Sequence, residues 1–167
     1  MEKGLINIYY GEGKGKSTAS LGRALVSASE GKEVFIIQFL KGRLSGNLSY
    51  LKCLEPEVKI FRFEKMEKHY EDLSVEEKNE ENNNIRNGVH FAKKVLTIGE
   101  CDLLILDEIL GLVDLGIIDV QEVIQLIQAK PEEMELILTG RNLPEELNEY
   151  ADYISCIGIV KNSVSNF

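Results

Sequence analysis

The sequence predicts an α/β fold: a mainly parallel sheet with helices on both faces. Two observations carry this. Short β-branched and aromatic runs alternate with stretches of helical periodicity, which implies right-handed crossovers between parallel strands. Those runs, LLILD above all, are nearly continuous in apolar residues, as strands buried on both faces must be. With 167 residues, 44% of them hydrophobic and 28% charged, the chain is expected to form one domain over 1–160 and a loose polar tail at 161–167.

The elements follow in order. Leu5–Tyr10 is a first buried strand, closed by a glycine-rich turn. Ser17 to Glu30 is a helix, with Ala19, Leu21, Ala24, Leu25 and Ala28 near helical spacing and Gly31 as its stop. Glu33–Phe39 is the second strand. A helical turn or two around Leu48–Leu54 leads to the third, Val58–Phe63. Ser74 and Glu77 make a capping box, opening a long helix from about Val75 towards Ile98 with Val89, Ala92, Val95 and Leu96 on its core face. Asn82, Asn83 and Asn84 are weak helix formers and would allow a break there. Asp102–Glu108 is a strand closed by two acids. Asp119 with Glu122 is a second capping box, opening a helix through Val123, Ile124, Ile127 and Ala129. Glu135–Arg141 is the next strand. Pro144 starts a helix towards Ala151, since proline suits the first helical position. Tyr153–Val160 is the last strand.

Composition excludes some classes of function. A net charge of −9 argues against a general nucleic-acid or membrane-surface binder. Much of the excess lies between Glu64 and Glu81, eight acidic residues against Lys65, Lys68 and Lys78, and reads as a solvated helix face or loop. Cys53, Cys101 and Cys156 are odd in number and far apart. They give neither a disulfide framework nor a zinc site, which suits a reducing cytoplasm. No apolar run approaches the length of a membrane span, and no leader peptide is expected before the first strand.

Ligands of parallel sheets gather at the carboxyl ends of the strands, which here carry YGEGKGKS, QFLKG, DE and TGR. The first is a strand, a glycine-rich turn and a helix start, which place several backbone N–H groups around one anion. Gly11, Gly13 and Gly15 permit positive φ and close backbone approach. Lys16 can reach a phosphate, and the Ser17 hydroxyl is placed for Mg²⁺. The pattern G-x-x-x-x-G-K-[ST] would want glycine where Tyr10 stands, and a G-x-G-x-x-G dinucleotide loop would want it at Lys16. The second half of such a site is an acid ending an apolar strand, and Asp107 with Glu108 supplies it. Lys41 and Arg141 end two further strands, and Gln38 is a weaker candidate that could instead satisfy backbone groups.

GEGKGKST, followed by QFLKG, LLILDE, LTGRNLPEEL and EYAD, resembles the ATP:corrinoid adenosyltransferases of the CobO/BtuR type, from about Gly4 to Val160. The resemblance implies a RecA-like P-loop NTPase architecture working as a homodimer in the cytoplasm. It implies transfer of the 5′-deoxyadenosyl group of ATP to the Co(I) of a reduced corrinoid with release of triphosphate, ATP lying reversed in its loop. On this reading Lys14, Lys16 and Glu108 are the catalytic residues. Gly11, Glu12, Gly13, Lys14, Gly15, Lys16, Ser17, Thr18, Lys41 and Arg141 contact the nucleotide, and Ser17, Glu108 and Asp107 hold Mg²⁺. ATP and the corrinoid are the substrates, a flavin-dependent reductase is the electron-delivering partner, and neither nucleic acid nor membrane is bound. Cobalt as nucleophile carries no proton, so no general base is required and Glu108 reads as a metal ligand.

The chain departs from the family in three places. Val26 stands where an arginine of the first helix commonly reaches the nucleotide, with Arg23 one turn earlier. No tryptophan exists for the G-F-T-W-like corrinoid segment, leaving Phe61, Phe63, His69 and Tyr70 as substitutes. His69 reads as a loop residue and His90 as structural, on the apolar face of its helix. The family's C-terminal extension is shortened to KNSVSNF. Two alternatives stay open: another P-loop ATPase or kinase in which Glu108 activates water or a hydroxyl, and an ATP-binding regulatory module without corrinoid turnover.

Overall fold

The computed structural model describes residues 2–41 and 51–164. The strands are β1 (Ile6–Tyr10), β2 (Val34–Gln38), β3 (Val58–Arg62), β4 (Leu103–Asp107), β5 (Glu135–Gly140) and β6 (Tyr153–Cys156). The helices are α1 (Lys16–Ser29), α2 (Val75–Ile98), α3 (Ile109–Asp114) and α4 (Val120–Gln128), with 3-10 turns at Lys52–Leu54, Tyr70–Asp72 and Glu145–Leu147. The sheet has six strands in the order β3-β2-β4-β5-β1-β6, and every pairing is parallel. The expected α/β fold is the observed one.

Helices cover both faces. Ala24 of α1 packs on Val34, Ile36, Val58, Leu103, Ile105 and Ile137. The other face is thicker: residues of α2, α3 and α4 enclose Phe35, Ile37, Leu104, Leu106, Leu136 and Leu138. Consecutive residues of β2, β4 and β5 thus serve opposite layers, which is why these strands read as unbroken apolar runs. Burying one such Leu or Ile side chain contributes about 1.5–3 kcal/mol, so the two layers dominate the stability of the sheet.

Both capping boxes form as read. Ser74 Oγ accepts from Glu77 N at 3.2 Å while Glu77 Oε2 accepts from Ser74 N at 2.8 Å, and Asp119 with Glu122 repeats the arrangement. Helix α2 runs unbroken through the three asparagines. Asn84 donates to Glu81 one turn back at 2.9 Å, and Asn82 accepts from Tyr70 Oη outside the helix at 2.7 Å, bonds that offset weak propensity. Gly88 lets this helix approach the aromatic core, since a Cβ there would lie 2.9 Å from Phe39 and 3.0 Å from Phe63.

Two expectations fail, and one element was not expected. The Pro144 segment holds only a 3-10 turn at Glu145–Leu147. Regular strand structure in β6 ends at Cys156. Helix α3, unmarked by any cap residue in the sequence, follows β4 directly because Glu108 takes a left-handed backbone, φ 65°. Of the helical turn expected around Leu48–Leu54, the part up to Tyr50 lies outside the described residues; the remainder is the 3-10 turn at Lys52–Leu54.

Candidate functional site

Alternation along the strands decides what stands at the carboxyl edge of the sheet beneath α1. On β2, β4 and β5 the residues facing α1 are Val34 and Ile36, Leu103 and Ile105, and Ile137. The next residues on that face are Gln38, Asp107 and Thr139. The same count along β3, from Val58 and Ile60, reaches Arg62. The four lie side by side and bond as a row. Arg62 Nε donates to Gln38 Oε1 at 2.7 Å, Gln38 Nε2 to Asp107 Oδ2 at 3.5 Å, and Thr139 Oγ1 to Asp107 Oδ1 at 2.8 Å. Burial lowers the Arg62 pKa from its ordinary value. Of the two readings left open for Gln38, the one that joins it to the strand-end side chains matches these bonds. Thr139 and Arg62 were missed in the sequence, although counting by twos from the apolar positions would have found both.

The row meets the phosphate loop at Ser17. Its Oγ donates to Asp107 Oδ1 at 2.9 Å. Lys41 Nζ donates to Ser17 Oγ at 3.0 Å and stands 3.7 Å from Asp107 Oδ2. Asp107 is 1% exposed. A carboxylate at that depth is tolerable only when paired and hydrogen-bonded, and these partners meet the requirement. Each hydrogen bond to such a charged group contributes about 1.5–3 kcal/mol. Hydroxyl and carboxylate oxygens suit a hard divalent cation, and the Lys41 ammonium beside them marks a position that favours positive charge. Ser17 and Asp107 therefore fit Mg²⁺.

The loop itself is shaped by β1 and by the chain after β6. Gly11 and Gly15 have φ 126° and 113°, conformations that disfavour any side chain. Gly13 donates to Ile157 O at 2.8 Å, and Ile157 donates to Tyr10 O at 2.7 Å. Ile157 lies so close that a Cβ on Gly11 would collide with its carbonyl, and one on Gly13 would sit 2.7 Å from that oxygen. Gly11 N–H is turned to Gly140 O and Arg141 O. Two loop amides are thus structural, and those from Lys14 onward lead into the α1 N-terminus. Lys16 Nζ reaches back across the loop to Gly11 O at 2.7 Å and Gly13 O at 3.0 Å. Glu12, Lys14 and Thr18 are exposed along the loop, and Thr18 lines a small cavity of about 120 Å³ with Ser17, Gln38 and Asp107.

Glu108 faces elsewhere. One residue beyond Asp107, it caps α3 and its N–H donates to Thr139 Oγ1 at 2.8 Å. It lines a cavity of about 460 Å³ with Leu40, Lys41, His69, Tyr70 and Arg141 among the walls. Burial and the neighbouring Asp107 push its carboxyl up, while Lys41, Lys16 and Arg141 oppose the shift. The structure therefore gathers Ser17, Lys41 and Asp107 directly, with Glu108 and Arg141 on an adjoining wall.

The substitutes considered for the departures resolve individually. Arg23 does not replace the arginine missing at Val26: it forms a two-pronged pair with Glu135 at 3.1 and 2.9 Å, at the opposite end of the sheet from the loop. Phe61 and Phe63 are half-buried against the core, both packed on Phe91 with centroids 4.8 and 5.5 Å away. His90 is exposed, not on the apolar face of α2. His69, exposed as expected, and Tyr70 remain, both on the cavity wall.

Strand order and loop position define the class: an α/β phosphate-loop protein of the RecA-like kind. A KaiC-like protein from the hyperthermophilic archaeon Pyrococcus horikoshii OT3 shares the fold, with a TM-score of 0.63 over 99% of this chain and 76% of that one at 14% identity. The chain belongs to the ATP:corrinoid adenosyltransferase family BtuR/CobO/CobP, whose model matches residues 2–166. It is 30% identical to the corrinoid adenosyltransferase of Escherichia coli K12, over 97% of this chain and 80% of that protein. The Salmonella typhimurium corrinoid adenosyltransferase CobA matches at the same identity and coverage.

Proposed function

We propose that the protein transfers the 5′-deoxyadenosyl group of ATP to the Co(I) of a reduced corrinoid. The cobalt–carbon bond forms as the C5′–oxygen bond breaks, and the electron pair leaves with triphosphate. The observation that carries this is the joining of Lys16, Ser17, Lys41 and Asp107 at one loop beside a cavity walled by His69, Tyr70, Glu108 and Arg141. Loop amides from Lys14 onward and the α1 N-terminus bind the polyphosphate. Lys16, Lys41 and the exposed Lys14 offset charge developing on the leaving group, the principal electrostatic demand of such a reaction. Mg²⁺ held by Ser17 and Asp107, with Glu108 as a further acid nearby, would add to that neutralisation. Arg141 and the tyrosine–histidine wall orient the corrinoid against C5′.

The proposal includes a homodimer, a cytoplasmic setting and a flavin-dependent reductase that supplies the electron for Co(I). No disulfide occurs among the described residues, in keeping with a reducing compartment. Within the same residues no helix is long and apolar enough to cross a membrane. Anaerobic incubation with ATP, Mg²⁺ and chemically reduced cobalamin tests the reading. Triphosphate and an adenosylated corrinoid are expected; release of phosphate or ADP without a cobalt–carbon bond would point to an ATPase or kinase, and ATP binding without turnover to a regulatory module.

A further inference from the structure

The acidic stretch after β3 is not uniformly solvated. Glu81 is 2% exposed on α2. Its carboxylate accepts from Lys65 N at 2.9 Å, Met66 N at 2.6 Å and Asn84 Nδ2 at 2.9 Å. That clasp fixes the chain leaving β3, and with it Glu64. Glu64 Oε1 in turn accepts Leu40 N–H at 2.6 Å.

Leu40 needs such support. Its backbone lies at φ 58°, a left-handed conformation unfavourable for a branched side chain. Its side chain is wedged against α3, where a Cβ on Gly111 would lie 2.9 Å from Leu40 Cδ1. The next residue is Lys41, whose ammonium reaches Ser17 and Asp107. We propose that Glu64 is a positioning residue for the nucleotide site, holding Leu40 in the left-handed turn that delivers Lys41 to the metal-side pair.

The carboxylate is an expensive way to accept one hydrogen bond. Glu64 Oε2 is buried and makes no hydrogen bond among the described residues. Burial, with Glu81 adding to it, raises the Glu64 pKa. An apolar residue would avoid both penalties but would leave the Leu40 amide without its acceptor.

The inference rests on reading Ser17, Asp107 and Lys41 as part of a nucleotide site, so its test measures ATP·Mg²⁺ affinity and not corrinoid turnover. Glu64→Ala should weaken binding about tenfold, the equivalent of releasing one strained backbone residue. Glu64→Gln, whose amide oxygen still accepts from Leu40, should stay within about twofold of the wild type. In a Lys41→Ala background Glu64→Ala should add nothing, because the two act on one group. The Leu40 amide should be protected from hydrogen exchange in the wild type and Glu64→Gln, and lose protection in Glu64→Ala. Should Glu64→Ala fail to fold, Glu64→Met keeps the side-chain length without the acceptor and takes its place. Unchanged affinity in the acceptor-free variant, or effects that simply add to those of Lys41→Ala, would overturn the proposal. A wild type that binds ATP·Mg²⁺ yet alkylates no corrinoid would sink the transfer reading and leave this comparison decisive. A wild type that binds no ATP·Mg²⁺ would overturn both.

Discussion

The phosphate loop and the acidic segment from Glu64 to Glu81 both continue strands of one sheet, and they are built in opposite ways. The loop uses contiguous residues whose backbone does the work, with glycine wherever φ is positive or the segment after β6 comes close. The acidic segment uses two side chains seventeen positions apart, Glu64 and Glu81, to hold backbone amides of other segments. A backbone-built site leaves its signature in a short word. A site held by buried carboxylates leaves none, because the same residues at the same spacing could face water.

The comparison breaks first at Lys16. Lys16→Ala should lower triphosphate formation from ATP and reduced corrinoid by about 100-fold or more, since a principal charge opposite the leaving group is lost; persistent turnover would mean that the loop is not the site. Gly13→Ala asks whether the loop depends on Ile157. The added methyl meets the Ile157 carbonyl, and ATP affinity should fall by about 10–100-fold in an equilibrium titration, with the far-UV circular dichroism unchanged.

On the acidic side, Glu81→Leu should cost about 3–5 kcal/mol in denaturant unfolding, because two backbone amides and Asn84 lose a buried charged acceptor. A loss under about 1 kcal/mol would return the segment to the solvated reading. The smallest effect belongs to Glu64→Gln. The Glu64 pKa is raised above its ordinary 4.5 by burial, then by Glu81, with Arg62 opposing. Its contribution to stability is therefore fully present below that value and fades as pH rises through the raised one. Glu64→Gln should show a melting-temperature gain over the wild type that is larger at pH 8 than at pH 5; a gain confined to pH 5 would contradict the sign.

Most of the architecture was legible because strand and helix differ in period, and the strand-end residues were legible because parallel sheets place ligands there. What escaped was non-local. Helix α3 has no sequence cap and begins on the left-handed Glu108. Within α2, Asn82 is bonded by Tyr70 from outside the helix. Asp107 and Glu108 read as one acidic pair, yet the left-handed backbone at Glu108 parts them, one bonding Ser17 and one lining the cavity. Phe61 and Phe63 looked like stand-ins for a missing aromatic segment until α2 supplied Phe91 to pack against them.

The bond between Gly13 and Ile157 also has a meaning in time. During synthesis β1 and its glycines emerge early, while Ile157 emerges after every strand of the sheet. A contact of such sequence separation forms late, so the loop reaches its final shape only when β6 docks beside β1. A nascent chain lacking that strand has the glycines, the lysines and the serine but not the closed cradle. If ATP occupies this loop as proposed, a ligand that needs the closed cradle would favour the last docking step by mass action.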